Sequence, residues 1–203
     1  MNILKSLLNP IRGIVKPYKS LFYNTYIMAA EAASISPGND TSQFHALKTN
    51  WLLWAHLPHD TDWSIKSYKH IMLSHYVEEM LVIMNVLPDK LVRNCMLFLM
   101  REGVQPTWED EANRNGGCFS YKIPNKNVPE VFTELCYASA GEALTNNQLF
   151  NDAVMGITIS PKKNFCIIKI WMTNCVHQDP SKIKHTSNFG QHGCLFKRHQ
   201  PEY

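Results

Sequence analysis

The spacing of apolar residues changes several times between Asn50 and Met172, and each change predicts an element. Asn50 to Leu57 (NWLLWAHL) is short and dense in large apolar side chains, which reads as a strand. Ser64 to Leu73 alternates Ile65, Ser67, Lys69 and Ile71 against Lys66, Tyr68, His70 and Met72, an approximate strand. From Ser74 to Leu87 the period lengthens. Val77, Met80, Leu81 and Met84 fall on one helical stripe, Glu78 and Glu79 face outward, and Pro88 ends the helix. Asn94 to Arg101 predicts a buried strand, and Phe119 to Ile123 an alternating one after the Gly116-Gly117 turn. Val128 to Gly141 reads as a second helix, with Asn127 as its cap and Pro129 near its start. Ala153 to Ser160 and Phe165 to Met172 are two strands joined by Pro161-Lys162-Lys163-Asn164, a hairpin signal. Strands and helices without βαβ regularity predict an α+β domain on an antiparallel sheet.

Upstream, Leu4, Leu8, Ile11, Val15, Tyr18 and Phe22 form an amphipathic stripe with a basic polar face, interrupted by Pro10 and Pro17. Three readings stay open: a tail packed on its own domain or a partner, a targeting presequence, or a membrane-surface helix. Ser34 to Ser42 is a linker by composition, so residues 1–43 are a basic extension and residues 44–203 the folded domain.

Composition narrows the class. Apolar residues make up 45% and charged residues 18% of 203, which excludes disorder over most of the chain. No apolar run reaches the roughly 18 to 20 residues of a spanning helix, which argues against stable membrane insertion. The net charge of +3 is unevenly spread: +4 over residues 1–30, −6 over 31–159 and +5 over 160–203. Long duplex DNA is a poor partner for such a surface, whereas a small anion near the last third would suit it. The six cysteines form no CxxC pair and read as free thiols in a reducing compartment. His192, Cys194 and His199 fit no standard zinc spacing, and neither His56 with His59 nor His70 with His75 has a supporting ligand cluster, so no metal is expected.

Tryptophan carries the chemistry. Trp51 and Trp54 sit inside a strand, but Trp63 follows the polar loop His59-Asp60-Thr61-Asp62, and Trp108 stands in a turn before Glu109-Asp110-Glu111. Loop indoles can fold back as plugs. Two of them beside a carboxylate can also hold a flat, cationic, donor-rich base. Indole is the best aromatic partner for a cation, and a carboxylate accepts two parallel donors such as guanine's Watson–Crick edge. N7-methylguanine is such a base, and Lys162-Lys163 could receive its phosphates.

The strings Trp51-Leu-Leu-Trp54, Trp63, GVQPTWEDEANRNGG (103–117) and GITISPKKNFCIIKIW (156–171) resemble the eukaryotic initiation factor 4E family of mRNA cap-binding proteins over roughly Phe44 to Cys175. The resemblance implies a curved antiparallel sheet shaped like a cupped hand, with two to three helices on its convex back. It implies that Trp63 and Trp108 stack on the methylated base, that Glu109 binds its edge, and that Trp171 touches the methyl group. Lys162 falls at a phosphate position. His45, Val77, Leu81 and Glu134 fall on the back surface that receives a Tyr-x-x-x-x-Leu-apolar helix from a 4G-like scaffold factor or a 4E-binding protein. No cofactor is implied, and the cellular setting is cytoplasmic.

Departures from the family pattern are specific. Cys118 replaces a basic residue after the Gly-Gly turn, Ile167 replaces a phosphate lysine, and Leu81 replaces a partner-anchoring tryptophan. Phosphate contacts are then fewer or rebuilt from Lys163, Lys169, Lys184 or Lys197. Only 32 residues follow Trp171, so the usual third helix is expected to be reduced or missing, as in a divergent paralogue of protist or viral character. Two functional classes follow. One is a cap-binding protein of translation initiation. The other is a repressor or interaction module that keeps the fold with weak cap binding. No nucleophile–base pair, P-loop or paired-carboxylate motif supports an enzyme.

Overall fold

The computed structural model describes residues 44–58, 60–186 and 188–202. The predicted extension over 1–43, together with His59 and Ser187, lies outside the described residues. Seven strands form one curved antiparallel sheet: β1 (Ala46–His56), β2 (Lys69–Tyr76), β3 (Met96–Arg101), β4 (Gly117–Pro124), β5 (Val154–Pro161), β6 (Phe165–Met172) and β7 (Leu195–Arg198). Their order is β2-β1-β3-β5-β6-β4-β7. Among the described residues four α-helices accompany them: α1 (Val77–Val86), α2 (Asp89–Asn94), α3 (Val128–Ala140) and α4 (Gln148–Asp152).

Strand alternation divides the sheet into two faces. On one face Leu53, Leu97, Leu99, Phe119, Tyr121, Ile157, Ile168 and Ile170 meet Met80 and Ile83 of α1, Leu91 of α2, Phe132 and Leu135 of α3 and Phe150 of α4 in the main core. On α3 the buried residues Val128, Val131, Phe132, Leu135, Cys136 and Ser139 trace the apolar stripe that the 3.6-residue period demands. On the opposite face, Trp54, Tyr68, Phe98, Met100, Cys118 and Trp171 pack as a second, smaller cluster. Trp51 and Trp54, three apart on β1, therefore point to opposite faces. Trp51 is in the main core and Trp54 under the concave surface.

The antiparallel α+β architecture matches expectation, with two boundary corrections, one side-chain role and one added helix. Ser74 to Tyr76 extends β2 rather than starting the helix, because Ser74 pairs with Trp51 and Tyr76 with Ala46. The Ile65–Ser67 stretch, predicted as strand, is a short 3₁₀ turn. Glu79 does not simply face outward: its Oε2 accepts from the amides of His75 (2.6 Å) and Tyr76 (3.1 Å) and so caps α1. Helix α2 has only six residues, too short for a periodic signal, and is held by burial of Leu91 and Val92 and an Arg93–Asp89 pair at 2.8 Å. Asn127 does stand at the α3 N-cap but makes no side-chain cap bond. Between β6 and β7 the described residues hold only a 3₁₀ turn at Pro180–Lys182, so the third long helix is missing. Among the described residues no helix is long and apolar enough to cross a membrane.

Candidate nucleotide-binding site

The concave cluster forms the floor of a cleft of about 440 Å³. Trp63, Trp108 and Glu109 line it together with Trp171, Tyr68 and Lys169. Residues 45 positions apart in sequence are thus brought to one opening, as are three of the five tryptophans.

Each cleft aromatic is held by a specific neighbour. Trp63 is 56% exposed, so its folding role is small. One of its faces lies on His56, with ring centroids 4.2 Å apart and planes within 2°. His56 is fixed in turn, its Nε2 donating to the Asp62 carbonyl at 2.9 Å. Trp108 stacks against His199 (5.8 Å, 12°), and the Lys169 ammonium lies 5.8 Å from its ring centre. Trp171 is buried, and its Nε1 donates to Thr158 Oγ1 at 2.9 Å, which fixes the ring in the floor.

The loop between β3 and β4 explains why one acid of Glu109-Asp110-Glu111 faces the cleft. The Asp110 carboxylate accepts from the amides of Gln105 (3.0 Å) and Ala112 (2.9 Å) and so staples the loop to itself. Fully buried Asn113 donates through Nδ2 to the carbonyls of Gln105 (2.8 Å) and Thr107 (2.9 Å). Glu111 is exposed and lines no part of the cleft. Glu109 is left as the acid presented inward, with one oxygen accepting from the Glu202 amide at 3.4 Å. Burial, with the Glu109 charge adding to it, pushes the Tyr68 hydroxyl up to about 12. The Gly-Gly pair that ends the loop is required by close approach. A Cβ on Gly116 would stand 1.7 Å from the Met172 carbonyl oxygen, so a larger residue would push β6, and with it Trp171, away.

His199 was not expected here from sequence. It is buried against both Trp108 and Trp171, and its Nδ1 donates to the Asn113 carbonyl at 2.8 Å. Burial lowers its pKa most, the Asn113 bond opposes that, and the positive charge of Lys169 lowers it further. The folded protein therefore resists a proton that the unfolded chain accepts near 6.5. Stability is complete above that pH and falls as pH drops below it, until His199 protonates in the native state. His70 and His185, also lowered by burial, add in the same direction. Melting temperature measured against pH should decline below 6.5, and less steeply in His199→Phe; equal slopes would assign the decline elsewhere.

The lysines divide between the cleft and the surface around it. Lys162 and Lys163 are exposed on the β5–β6 turn, where the Lys162 amide donates to the Phe165 carbonyl at 2.8 Å, and neither lines the cleft. Lys169 does, because it lies two residues before Trp171 on β6 and shares its face. Beyond Trp108 a second hollow of about 840 Å³ is bordered by Lys122, Lys169, Lys197 and Arg198 and by no carboxylate. Lys184, another candidate, lines neither.

On the helical face, His45 Nδ1 and Glu78 Oε1 are 2.7 Å apart, and the Val77 amide donates to the His45 carbonyl at 2.9 Å. The bond from His45 holds the Glu78 carboxyl below its ordinary range. Val77 and Leu81, one helical turn apart, are 37% and 42% exposed. Glu134 on α3 is half-buried, its Oε2 accepting from Thr186 Oγ1 at 2.9 Å.

A helix-backed, cupped antiparallel sheet with an aromatic cleft on its concave side is the class of fold these features define. The family model for "Eukaryotic initiation factor 4E" matches residues 46–192. Translation initiation factor 4E of Candida albicans is 28% identical over 150 residues, which cover 69% of this chain and 68% of that protein. Initiation factor 4E-2 of Schizosaccharomyces pombe is 31% identical over 145 residues, covering 66% of this chain and 56% of that one. In fold, the chain is similar to Ascaris suum initiation factor 4E-3 solved with an m2,2,7G cap (TM-score 0.58, 21% identity, 66% of this chain and 76% of that chain). It is also similar to a schistosome factor 4E complexed with m7GpppG and a 4E-binding protein (TM-score 0.60, 15% identity, 66% and 75%). The chain belongs to the eukaryotic initiation factor 4E family.

Proposed function

We propose that this chain binds the 7-methylguanosine cap of mRNA and acts in translation initiation in the cytoplasm, as a binding protein without enzymatic chemistry. The supporting observation is the convergence of Trp63, Trp108 and Glu109 on one cleft floored by Trp171. The free face of Trp63 and the ring of Trp108 take the two faces of the methylated base. Glu109 accepts from its edge, and Trp171 meets the methyl group. Lys169 takes the first phosphates in place of Lys162 and Lys163, with Lys197 next, because Cys118 pairs with Trp171 on one side and Lys197 on the other. The relatives' names and the cap-bound structural neighbours support the same reading.

Methylation at N7 gives the base a positive charge, and a desolvated cation–indole contact is worth about 2 kcal/mol, so 7-methylguanosine triphosphate should bind about 30-fold tighter than GTP. Tryptophan fluorescence quenching measures both. Equal affinities would defeat the charge-based mechanism.

The opposite face has a matching role. Val77 and Leu81, with His45 locked beside them and Glu134 on the neighbouring helix, receive an amphipathic Tyr-x-x-x-x-Leu helix from a 4G-like scaffold or a 4E-binding protein. Leu81→Asp should abolish capture of such a peptide in a pull-down while cap affinity stays within about twofold, since a charge placed in an apolar groove costs several kcal/mol. Peptide capture by a protein that shows no retention on cap resin would select the repressor or interaction-module role instead.

A further inference from the structure

Carboxylates and cations are segregated along the concave face. The base cleft contains Glu109 and Glu202, whereas the hollow beyond Trp108 has Lys122, Lys169, Lys197 and Arg198 and no acid. A third hollow of about 470 Å³ follows at the end of the sheet, lined by Lys122, Pro124, Lys163, Asn164 and Phe165, again with no acid. Lys122 borders both, so the two basic hollows adjoin at its side chain.

Strand register sets the order of these groups. Across β6 and β4, Trp171 pairs with Cys118, Lys169 with Ser120, Ile167 with Lys122 and Phe165 with Pro124. From Trp171 to Phe165 is six residues of strand, roughly 20 Å at about 3.3 Å per residue. That run exceeds the reach of a triphosphate and fits a chain of nucleotides. The Lys122 ammonium is held 4.4 Å from the Phe165 ring centre, which positions that cation at the far end. The Asn125 amide donates to the Lys163 backbone carbonyl at 3.5 Å, which ties the turn carrying Lys163 to the loop after β4. Leu195, 59% exposed, adds apolar surface to the middle hollow, and half-buried Phe165 adds an aromatic ring at the end. Lysines that track a backbone, with aromatic and apolar surface between them, are the recognition kit for single-stranded nucleic acid.

We propose that the concave face beyond the base cleft binds the first few nucleotides of the RNA body downstream of the cap, with Lys122 and Lys163 on phosphates and Phe165 under a base. The direction of the track rests on the cap reading above. The chain's charge distribution agrees, since residues 160–203 carry a balance of +5.

The test compares 7-methylguanosine triphosphate, a capped hexanucleotide and an uncapped 5′-triphosphate hexanucleotide on the full chain. Two exposed positions are changed together (Lys122→Gln with Lys163→Gln), and Phe165→Leu is tested separately. In the unaltered protein the capped hexanucleotide should bind about tenfold tighter than the mononucleotide, from stacking and two phosphate contacts. The lysine pair should remove most of that gain, leave mononucleotide affinity unchanged, and make the log–log salt slope shallower by about 1.4. Phe165→Leu should remove part of the gain without changing the salt slope. A capped hexanucleotide no tighter than the mononucleotide, or a gain that survives the lysine pair, would overturn the track. If 7-methylguanosine triphosphate itself fails to bind, the cap reading fails separately. The track then still requires lysine-dependent, salt-sensitive binding of the uncapped hexanucleotide, and its loss overturns both.

Discussion

Glu109→Ala should weaken binding of 7-methylguanosine triphosphate by more than about 100-fold, the largest effect expected from any single change in the cleft. Two donors from the base edge meet one ionised acceptor, and hydrogen bonds to charged groups contribute about 1.5–3 kcal/mol each. Neither of its neighbours in the acidic run replaces Glu109, because Asp110 is committed to the Gln105 and Ala112 amides and Glu111 is outside the cleft. The carboxylate also balances the positive base, so the loss exceeds two neutral bonds. Glu109→Gln should sit close to Ala rather than to the unaltered protein, since an amide presents one acceptor and a donor that opposes the base's own. Isothermal titration of both variants, with circular dichroism to confirm the fold, is the measurement. Retention of affinity within about threefold by Glu109→Ala would sink the edge-recognition role, given the size of charge-assisted bonds.

Arg101→Ala should cost about 3–5 kcal/mol of folding stability, the scale for breaking a buried ion pair by removing one partner. Arg101 and Glu142 are each 10% exposed at the side chain and 2.9 Å apart. The same guanidinium donates to the carbonyls of Val154 (2.6 Å) and Asn151 (2.9 Å) and to Thr49 Oγ1, and lies 4.9 Å from the Trp51 ring centre. Alanine would leave a buried carboxylate and several carbonyls without their donor. The consequence reaches the cleft, because Arg101 ends β3 and the loop carrying Trp108 starts there. Urea unfolding should show the loss, with Glu142→Gln in the Arg101→Ala background recovering part of it. A loss under about 1 kcal/mol would mean the pair is solvated in the native state, like a surface bridge.

Much of the architecture could be read locally. The hairpin at Pro161–Asn164 and the α3 stripe with Pro129 in its first turn depend on residues close together in the chain, and local patterns carry that information. The same holds for Lys169, which shares a face with Trp171 by the two-residue period of a strand. The short helices α2 and α4 were not readable in this way, since five or six residues span barely more than one turn. At the β2–α1 junction Ser74 to Tyr76 tolerate helix and strand alike, and pairing with β1 decides between them.

Residue type alone supplied the side chains with the chemistry to hold a charged purine: two loop indoles, an acid beside one of them, and a third indole on a strand. Their chemistry is a property of residue type. Their surroundings came from the folded chain. It put His56 behind Trp63, set His199 against Trp108 and Trp171, and spent Asp110 on its own loop. It also placed Lys162 and Lys163 on the β5–β6 turn outside the lining of the base cleft and brought Lys197 beside Cys118. Those partners lie far apart in the chain, and their meeting follows from sheet order and register, which are fixed by the shared core rather than by any local run of residues.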